Sequence, residues 1–486
     1  MLSDEQVLKM HEEALKVLEK LGVIFDDSKA LDILESADCR VDRESRKVYF
    51  PADVVTKAIE SAPDRFDLYD RNGEYYCTFG DGKTRFNPGS SASNILEADG
   101  ETVRLSGVKD LKLLTKVAQS LPHIDFISSS IVCEEAPGEL GSQYLYYTEM
   151  QNSIKPIIGG STDLNGVINT FELLKAVCGS EEAVREKPYT IFDICITSPF
   201  KWSKIGAKNI IDCVERDIPI EMISAQIAGA TGPVTLAGCI LQHTVEMLSG
   251  LVLIQSIKPG FPTVYGGAPC IFNMMTMYTP MEAMECSMVT AGYAEMGKYY
   301  GLPTHTYAAM SDSKSIDYQA GSETARSGLI SLMSGIDNVS GAGGLNVIAD
   351  MSIEKLVIDN DFIGTLKQLE SGIRFSDETL AADLLIETGA AGNYMGKKHT
   401  VKNYRKEQNY SNITFNYEER ANWEKQGSPS MLEKAREYVE ALKPQNICPL
   451  DEDKRIALDK AFIAVCISAG LTEAVARDLI KKYEDA

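Results

Sequence analysis

From about residue 106 onward the chain repeats one alternation: a short apolar run, a polar or Gly-rich loop, then an amphipathic or buried helix. Residues 125–131, 156–160, 190–196, 219–223, 263–266, 304–308 and 338–341 read as strands. Residues 164–177, 205–216, 236–256, 280–300, 319–334 and 353–369 read as helices between or after them. Units repeating every roughly 30–40 residues build a parallel sheet, and seven or eight of them predict a closed (β/α)8 barrel, an α/β fold. The eighth strand is expected at 373–375 or around 394–401.

The flanks differ from this pattern. Residues 1–105 read as an N-terminal α+β elaboration, with a first helix capped by Ser3 and Gln6 and stopped at Gly22. A second helix is expected near 29–35. Short β runs then follow at 48–50, 75–79 and 102–105, separated by the turn signals Asn72-Gly73, Asp81-Gly82 and Asp99-Gly100. Residues 106–427 are assigned to the catalytic barrel. Residues 428–486, broken by Pro444 and Pro449, read as a helical extension that packs on the barrel or on another subunit, and a homo-oligomer is expected.

Charge narrows the function. With 48 Lys and Arg against 70 Asp and Glu, the net charge of −22 disfavours tracking of phosphates and docking on an anionic membrane, so neither nucleic acid nor membrane is expected as partner. The longest apolar stretch, 247–257, ends at Lys258, Pro259 and Gly260, short of the roughly 18 residues a bilayer span needs. It reads as a buried helix. The opening MLSDEQVLKM is acidic and amphipathic, unlike a signal peptide. The 11 cysteines are odd in number and scattered through apolar context, as reduced, packed thiols are, so the expected location is the cytoplasm.

In a barrel the chemistry sits just after the carboxyl ends of the strands. The five histidines lie far apart and no C-x-x-C or H-x-x-x-H occurs, so no protein-bound metal is expected. Gly341-Ala342-Gly343-Gly344 reads as a tight turn, since it matches neither G-x-G-x-x-G nor a Walker loop. A G-x-S-x-G nucleophile elbow is absent too, and Cys270 reads as a packed thiol. His305 and Tyr307 alternate on one strand and share a face. His305 there either donates to a substrate anion or is a satisfied histidine in a barrel layer. Phe200, Trp202, Tyr265, Tyr307, Phe375 and Tyr394 could ring a quaternary ammonium, each face contributing about 0.5–2 kcal/mol. Glu134, Glu135, Asp312 and Asp317 could add attraction, or simply be solvated.

Several segments resemble a known family. ATGPVTLAG (230–238), KPGFPTVYGG (258–267), YGLPTHTYAAMSDSKSIDYQAGSE (300–323), HEEALKVLEKLGVIFDD (11–27) and KLVIDNDFIG (355–364) resemble the trimethylamine methyltransferase family in its form without pyrrolysine. The resemblance covers nearly the whole chain. It implies a (β/α)8 barrel that transfers a methyl group from an amine to the cobalt of a separate corrinoid protein. No tightly bound cofactor is expected; the corrinoid (cobalamin) arrives on the cognate partner. In the archaeal enzymes pyrrolysine falls near the segment holding Met310, Asp312 and Lys314, and here every position is an ordinary residue. A tertiary amine needs special activation as a methyl donor, whereas a quaternary ammonium already carries the positive charge that leaves as a neutral amine. The resemblance therefore implies a quaternary amine: glycine betaine first, then proline betaine, carnitine and gamma-butyrobetaine. Substrate orientation is required of the protein, and no acid–base group is. The carboxylate end is assigned to His305 and Gln226, backbone N–H groups around Gly266 and Gly267, and Lys314 or His399. Two other classes remain open: a small-molecule binding barrel, and a lyase or isomerase barrel using Asp312, Lys314 and His305 without corrinoid.

Overall fold

The computed structural model describes residues 1–408 and 412–486. Eight parallel strands form its centre: β1 (Arg85–Asn87), β2 (Ile127–Ser128), β3 (Ile157–Gly160), β4 (Thr190–Cys195), β5 (Ile220–Ser224), β6 (Thr263–Gly267), β7 (Thr304–Tyr307) and β8 (Asn338–Ser340). From β2 onward each strand pairs with the next, and β8 returns to β1 through Asn338↔Arg85 and Ser340↔Asn87. Between β1 and β2 the ladder gives way to a seam, where the Asp125 N–H donates to the Phe86 carbonyl at 2.8 Å. The Asp125 carboxylate accepts from the Phe86 N–H at 2.9 Å and from Lys367 Nζ at 2.6 Å, so a salt-bridged side chain stands in for the missing ladder.

The seven strands read from the alternation are β2 to β8. The eighth is β1, inside the region assigned to the N-terminal elaboration, and not 373–375 or 394–401. Three residues, Arg-Phe-Asn, carry no apolar run, and their pairing partner lies at the other end of the barrel sequence. Segment 373–375 is instead irregular and exposed, while Lys398–Glu407 is a helix.

Strand alternation layers the interior. Phe126, Ile158, Ile191 and Val264 form an apolar plug with Leu68 and Phe79 of the antiparallel hairpin Phe66–Tyr69/Tyr75–Phe79, which closes the amino end of the barrel. The layer above is polar: Asn87, Ser128, Asp193, Glu221, His305, Asn338 and Ser340. Outside lie, among others, helices α1 (Gly141–Asn152), α2 (Lys204–Glu215) and α3 (Leu236–Ile257). At 22 residues α3 has the length and apolar composition to cross a membrane, and 83% of its most apolar window is buried inside the molecule. It matches the helix read at 236–256, and the apolar run 247–257 is its second half. Helices Asp4–Lys20, Ala52–Ser61 and Met284–Tyr299 pack around it, which accounts for a helix apolar on nearly every side.

Strand Val23–Phe25 pairs with Lys47–Tyr49 and takes Lys201–Trp202, from the loop after β4, as a parallel neighbour. The N-terminal elaboration is thereby tied to the barrel mouth. At the other end, Phe462 lies 4.6 Å from the Tyr147 ring of α1, and the Tyr147 hydroxyl donates to Asp459 at 2.7 Å. The C-terminal helices thus pack on the barrel.

Candidate active site

The polar layer inside the barrel is built on register. Asp193 on β4 stands opposite Glu221 on β5, and their carboxyls hydrogen-bond to each other. Asn338 Nδ2 donates to Glu221 Oε2 at 3.1 Å, while Asn87 Nδ2 donates to Asn338 Oδ1 at 2.9 Å and to Ser340 Oγ at 2.8 Å. His305 Nε2 lies 2.9 Å from Ser340 Oγ and 3.4 Å from Glu221 Oε1. Burial lowers His305 to about 3, so its imidazole is neutral. Burial raises both carboxyls, Asp193 to about 7 and Glu221 well above its ordinary range, so the pair holds a proton at neutral pH. Asp193 Oδ1 and His305 Nδ1 have no hydrogen-bond partner among the described residues. Gly266 makes room for this layer: a Cβ there would sit 2.9 Å from His305 Nδ1 and 2.6 Å from the Met222 carbonyl.

Above Asp193 opens a cavity of about 490 Å³, within the size range of small-molecule sites. Asp193, Cys195, Ser90 and Tyr307 line it near the barrel axis. Ile194, which alternation points away from the axis, lines it too, so the space continues outward between the strand ends and the helices. There it meets the start of α1 at Gly141 and Ser142 and the start of α2 at Ile205 and Gly206. Cys195 stays a thiol, pushed up to about 12 by desolvation within this recess and by the charge of Asp193 and Glu221. On the outer side Glu149 of α1 is fully buried beside Ser129, and desolvation raises it to about 8.

Of the residues singled out from the sequence, Tyr307 lines the cavity, its hydroxyl bonded to Ser90 and its ring edge-on to His305 with centroids 5.1 Å apart. His305 lies in the layer beneath and is fully buried. The aromatic cage does not form. Tyr265 points outward and donates to Thr244 Oγ1 of α3 at 3.2 Å, and Trp202 packs on Phe25 and donates to Ser249 Oγ at 2.9 Å. Phe200 holds a left-handed φ of 57°, and its N–H donates to Glu246 at 3.0 Å. Phe375 is 81% exposed, Tyr394 is exposed, and His399 Nε2 sits 3.1 Å from the Glu378 carbonyl; none of the three lines the cavity.

The other candidate carboxylate donors are also engaged elsewhere. Gln226 rests its Oε1 2.7 Å from Ser224 Oγ and donates Nε2 to the Cys239 carbonyl at 3.2 Å. Gly266 and Gly267 are ladder residues between β5 and β7. Met310 is fully buried, with Gly341 and Gly344 behind it. Asp312 accepts from the N–H groups of Met281 and Glu282, and Lys314 donates to the Asp312 carbonyl at 2.7 Å. What the sequence reasoning passed over was Asp193 and Glu221. Their signal was a single charge inside each of the apolar strands TIFDIC and IEMIS, a placement that a satisfied core rarely tolerates.

Several known proteins are similar to this chain in sequence. The glycine betaine methyltransferase of Desulfitobacterium hafniense (strain Y51) is 28% identical over 408 residues, covering 84% of this chain and 85% of that protein. A trimethylamine methyltransferase of Methanosarcina thermophila is 29% identical over 467 residues, covering 93% and 95%. The solved Methanosarcina barkeri monomethylamine methyltransferase aligns with a TM-score of 0.49 at 11% identity, over 96% of this chain and 93% of its own. The trimethylamine methyltransferase family model matches residues 1–466, from the N-terminal flank through the barrel and into the C-terminal helices, and the chain belongs to that family.

Proposed function

We propose that this protein is a corrinoid-dependent methyltransferase that removes one N-methyl group from a quaternary amine, glycine betaine first and proline betaine, carnitine or gamma-butyrobetaine next. The observation that carries the reading is the cavity's chemistry within a barrel of this family. An ionisable carboxyl, Asp193, and one ring, Tyr307, line the space, and the Cys195 thiol there is not an able nucleophile. The donor set therefore suits a reaction whose nucleophile comes from outside. A cobalt(I) corrinoid carried by a separate cognate protein would supply it.

The chain's own residues bind and orient. Asp193 attracts the ammonium, while Tyr307 gives it an aromatic face. Losing a methyl leaves a neutral tertiary amine and moves no proton, so neutral His305 and protonated Glu221 serve as support and not as acid or base. The cation's charge is dispersed as the methyl departs, so a full cage would hold the substrate more tightly than the transition state. One partly ionised carboxyl and one ring fit that requirement better. A lyase or isomerase reading finds less support, because Asp312 and Lys314 are spent on their own loop and do not meet His305 in the cavity.

The test incubates the protein with each candidate betaine and with trimethylamine, using reduced corrinoid protein and free cobalamin in parallel, while the visible spectrum is followed. Methyl–cobalt formation is expected with at least one quaternary amine. Its absence with all of them in both arms would overturn the proposal, and turnover of trimethylamine alone would overturn the quaternary assignment.

A further inference from the structure

The segments that the alternation offered for an eighth strand, 373–375 and 394–401, lie in an arm without a core of its own. Helix α4 (Ile353–Glu370) follows β8 down the outside of the barrel and ends at the amino end, where Glu370 accepts from the Thr84 N–H at 2.7 Å, one residue before β1. The chain then leaves the barrel and returns to the same helix at 413–415, whose N–H groups donate to Asp361 at 2.6–3.2 Å. Between these points residues 371–408 form short helices, among them α5 (Ala382–Thr388) and α6 (Lys398–Glu407), and bury one residue, Asn403. Ile373, Phe375, Leu385, Ile386, Met395 and Val401 are 54–93% exposed. What holds the arm together is polar: Arg374 pairs with Glu407, Lys397 with Glu387 at 3.2 Å and Lys402 with Glu378 at 2.6 Å. Exposed pairs of this kind contribute little. Helices of 7 and 10 residues are too short to persist alone in water, where about 12–15 residues are marginal. The arm therefore needs a lasting cover for its apolar side chains.

Position and charge say what supplies it. The cavity lies at the carboxyl ends of the strands, the other end of the barrel, and on the function proposed above the carrier that serves it must come and go. Such a partner neither reaches the amino end nor shields the arm for long. A second copy of the chain is present wherever the first one is. Residues 397–406 hold five Lys or Arg and no Asp or Glu, within a chain of net charge −22. Lys397 and Lys402 pair inside the arm, whereas Lys398, Arg405 and Lys406 pair with no acid among the described residues. We infer that residues 371–408 are a docking arm, whose apolar side chains and basic helix seat on the acidic body of a second copy of this chain. An anionic membrane could meet the same helix, but it would repel the rest of so acidic a molecule. Arms that emerge at the amino end leave each barrel mouth free for substrate.

Light scattering and mass photometry on the full chain test this, and because the readout is mass it holds or fails apart from methyl transfer. At about 10 μM the protein should have the mass of two or more chains. The double variant Phe375→Asp, Ile386→Asp alters two exposed side chains, spares the barrel, and should raise the dissociation constant about 100-fold or more. The triple variant Lys398→Glu, Arg405→Glu, Lys406→Glu should raise it about tenfold, and added salt should weaken the wild-type association in the same direction. Met275→Asp changes an equally exposed residue in the loop after β6 and should leave the mass as it was. Hydrogen exchange on the wild-type protein covers the case of a variant that misfolds: the amides of α6 should exchange slowly in concentrated protein and faster on dilution below the dissociation constant. A single-chain mass at about 10 μM, an unchanged mass in the double variant, or α6 amides that exchange alike at both concentrations would overturn the arm. So would binding of single wild-type chains to phosphatidylserine–phosphatidylcholine vesicles that the triple variant loses, which would assign the helix to a membrane.

Discussion

Two acids stand near the carboxyl ends of neighbouring strands, and they are treated in opposite ways. Glu246 reaches in from α3 and accepts from Ser198 Oγ at 2.9 Å, the Phe200 N–H at 3.0 Å and Gln242 Nε2 at 3.0 Å, with the Ser224 hydroxyl 2.5 Å away. Asp193, on β4, has the hydrogen bond to Glu221, lines a cavity, and accepts from no comparable set of donors among the described residues. Desolvation raises both. What separates them is completeness: Glu246 has its lone pairs used by the fold, whereas Asp193 is short of donors and borders a cavity. A buried acid surrounded by donors holds loops in place, and a buried acid left short of donors is a binding site waiting for charge.

The largest expected effect breaks the first half of this contrast. Glu246→Ala leaves three donors without an acceptor and should lower the unfolding free energy by about 3 kcal/mol, measured by denaturant titration, with turnover per folded molecule little changed. Asp193→Asn should do the reverse. Loss of a charge-assisted contact to the substrate predicts a fall in kcat/KM on the order of 10- to 100-fold. Stability should stay level or rise, because a poorly paired buried charge is removed. Equal stability losses in the two variants would erase the distinction.

A third acid sharpens the comparison through pH. Glu149 has no cavity of its own, and its one hydrogen-bonding neighbour, Ser129, offsets only part of its desolvation. Its folded pKa, about 8, lies above the unfolded value, so its contribution to stability is fully present below the unfolded pKa and is lost as pH rises through about 8. Between pH 6 and pH 9 that loss is about 3 kcal/mol. Glu149→Gln should flatten the decline, and thermal melts at the two pH values would show it; parallel declines in both proteins would mean that Glu149 is already ionised at pH 6.

The barrel was legible because period and spacing are properties of whole segments: seven strands and six helices follow from their patterns, while α1, buried at nearly every position and so without an amphipathic stripe, did not. β1 was not, since three residues with one aromatic carry no periodic signal and are strands only because β8 offers a partner. The site was read less well for a related reason. Side-chain type suggested rings around a cation, but a strand sends successive residues to opposite faces, so Tyr265 went to α3 while Gly266 went to the interior. The interior parity could have been fixed by the charges in TIFDIC and IEMIS, because an acid on the apolar outer face beneath helices would be stranded. The helix starts at Gly141 and Lys204 give no sign in the sequence of facing a common space, which arises only when the barrel closes.

Tyr307 supplies the smallest and most local test. Its hydroxyl bonds Ser90 on the loop after β1, and its ring lies against His305 and the cavity. Tyr307→Phe keeps the ring and removes one hydrogen bond whose net contribution is about 1 kcal/mol. If the ring is what the cation meets, affinity for a quaternary amine should change by less than about threefold, with a slight loss of stability from the freed Ser90 loop. Tyr307→Leu removes the aromatic face at similar bulk and should weaken binding by about fivefold or more. Equal affinities in the phenylalanine and leucine variants would show that the cation is held by Asp193 alone, and the contrast between a satisfied acid and an unsatisfied one would then account for recognition without any help from the ring.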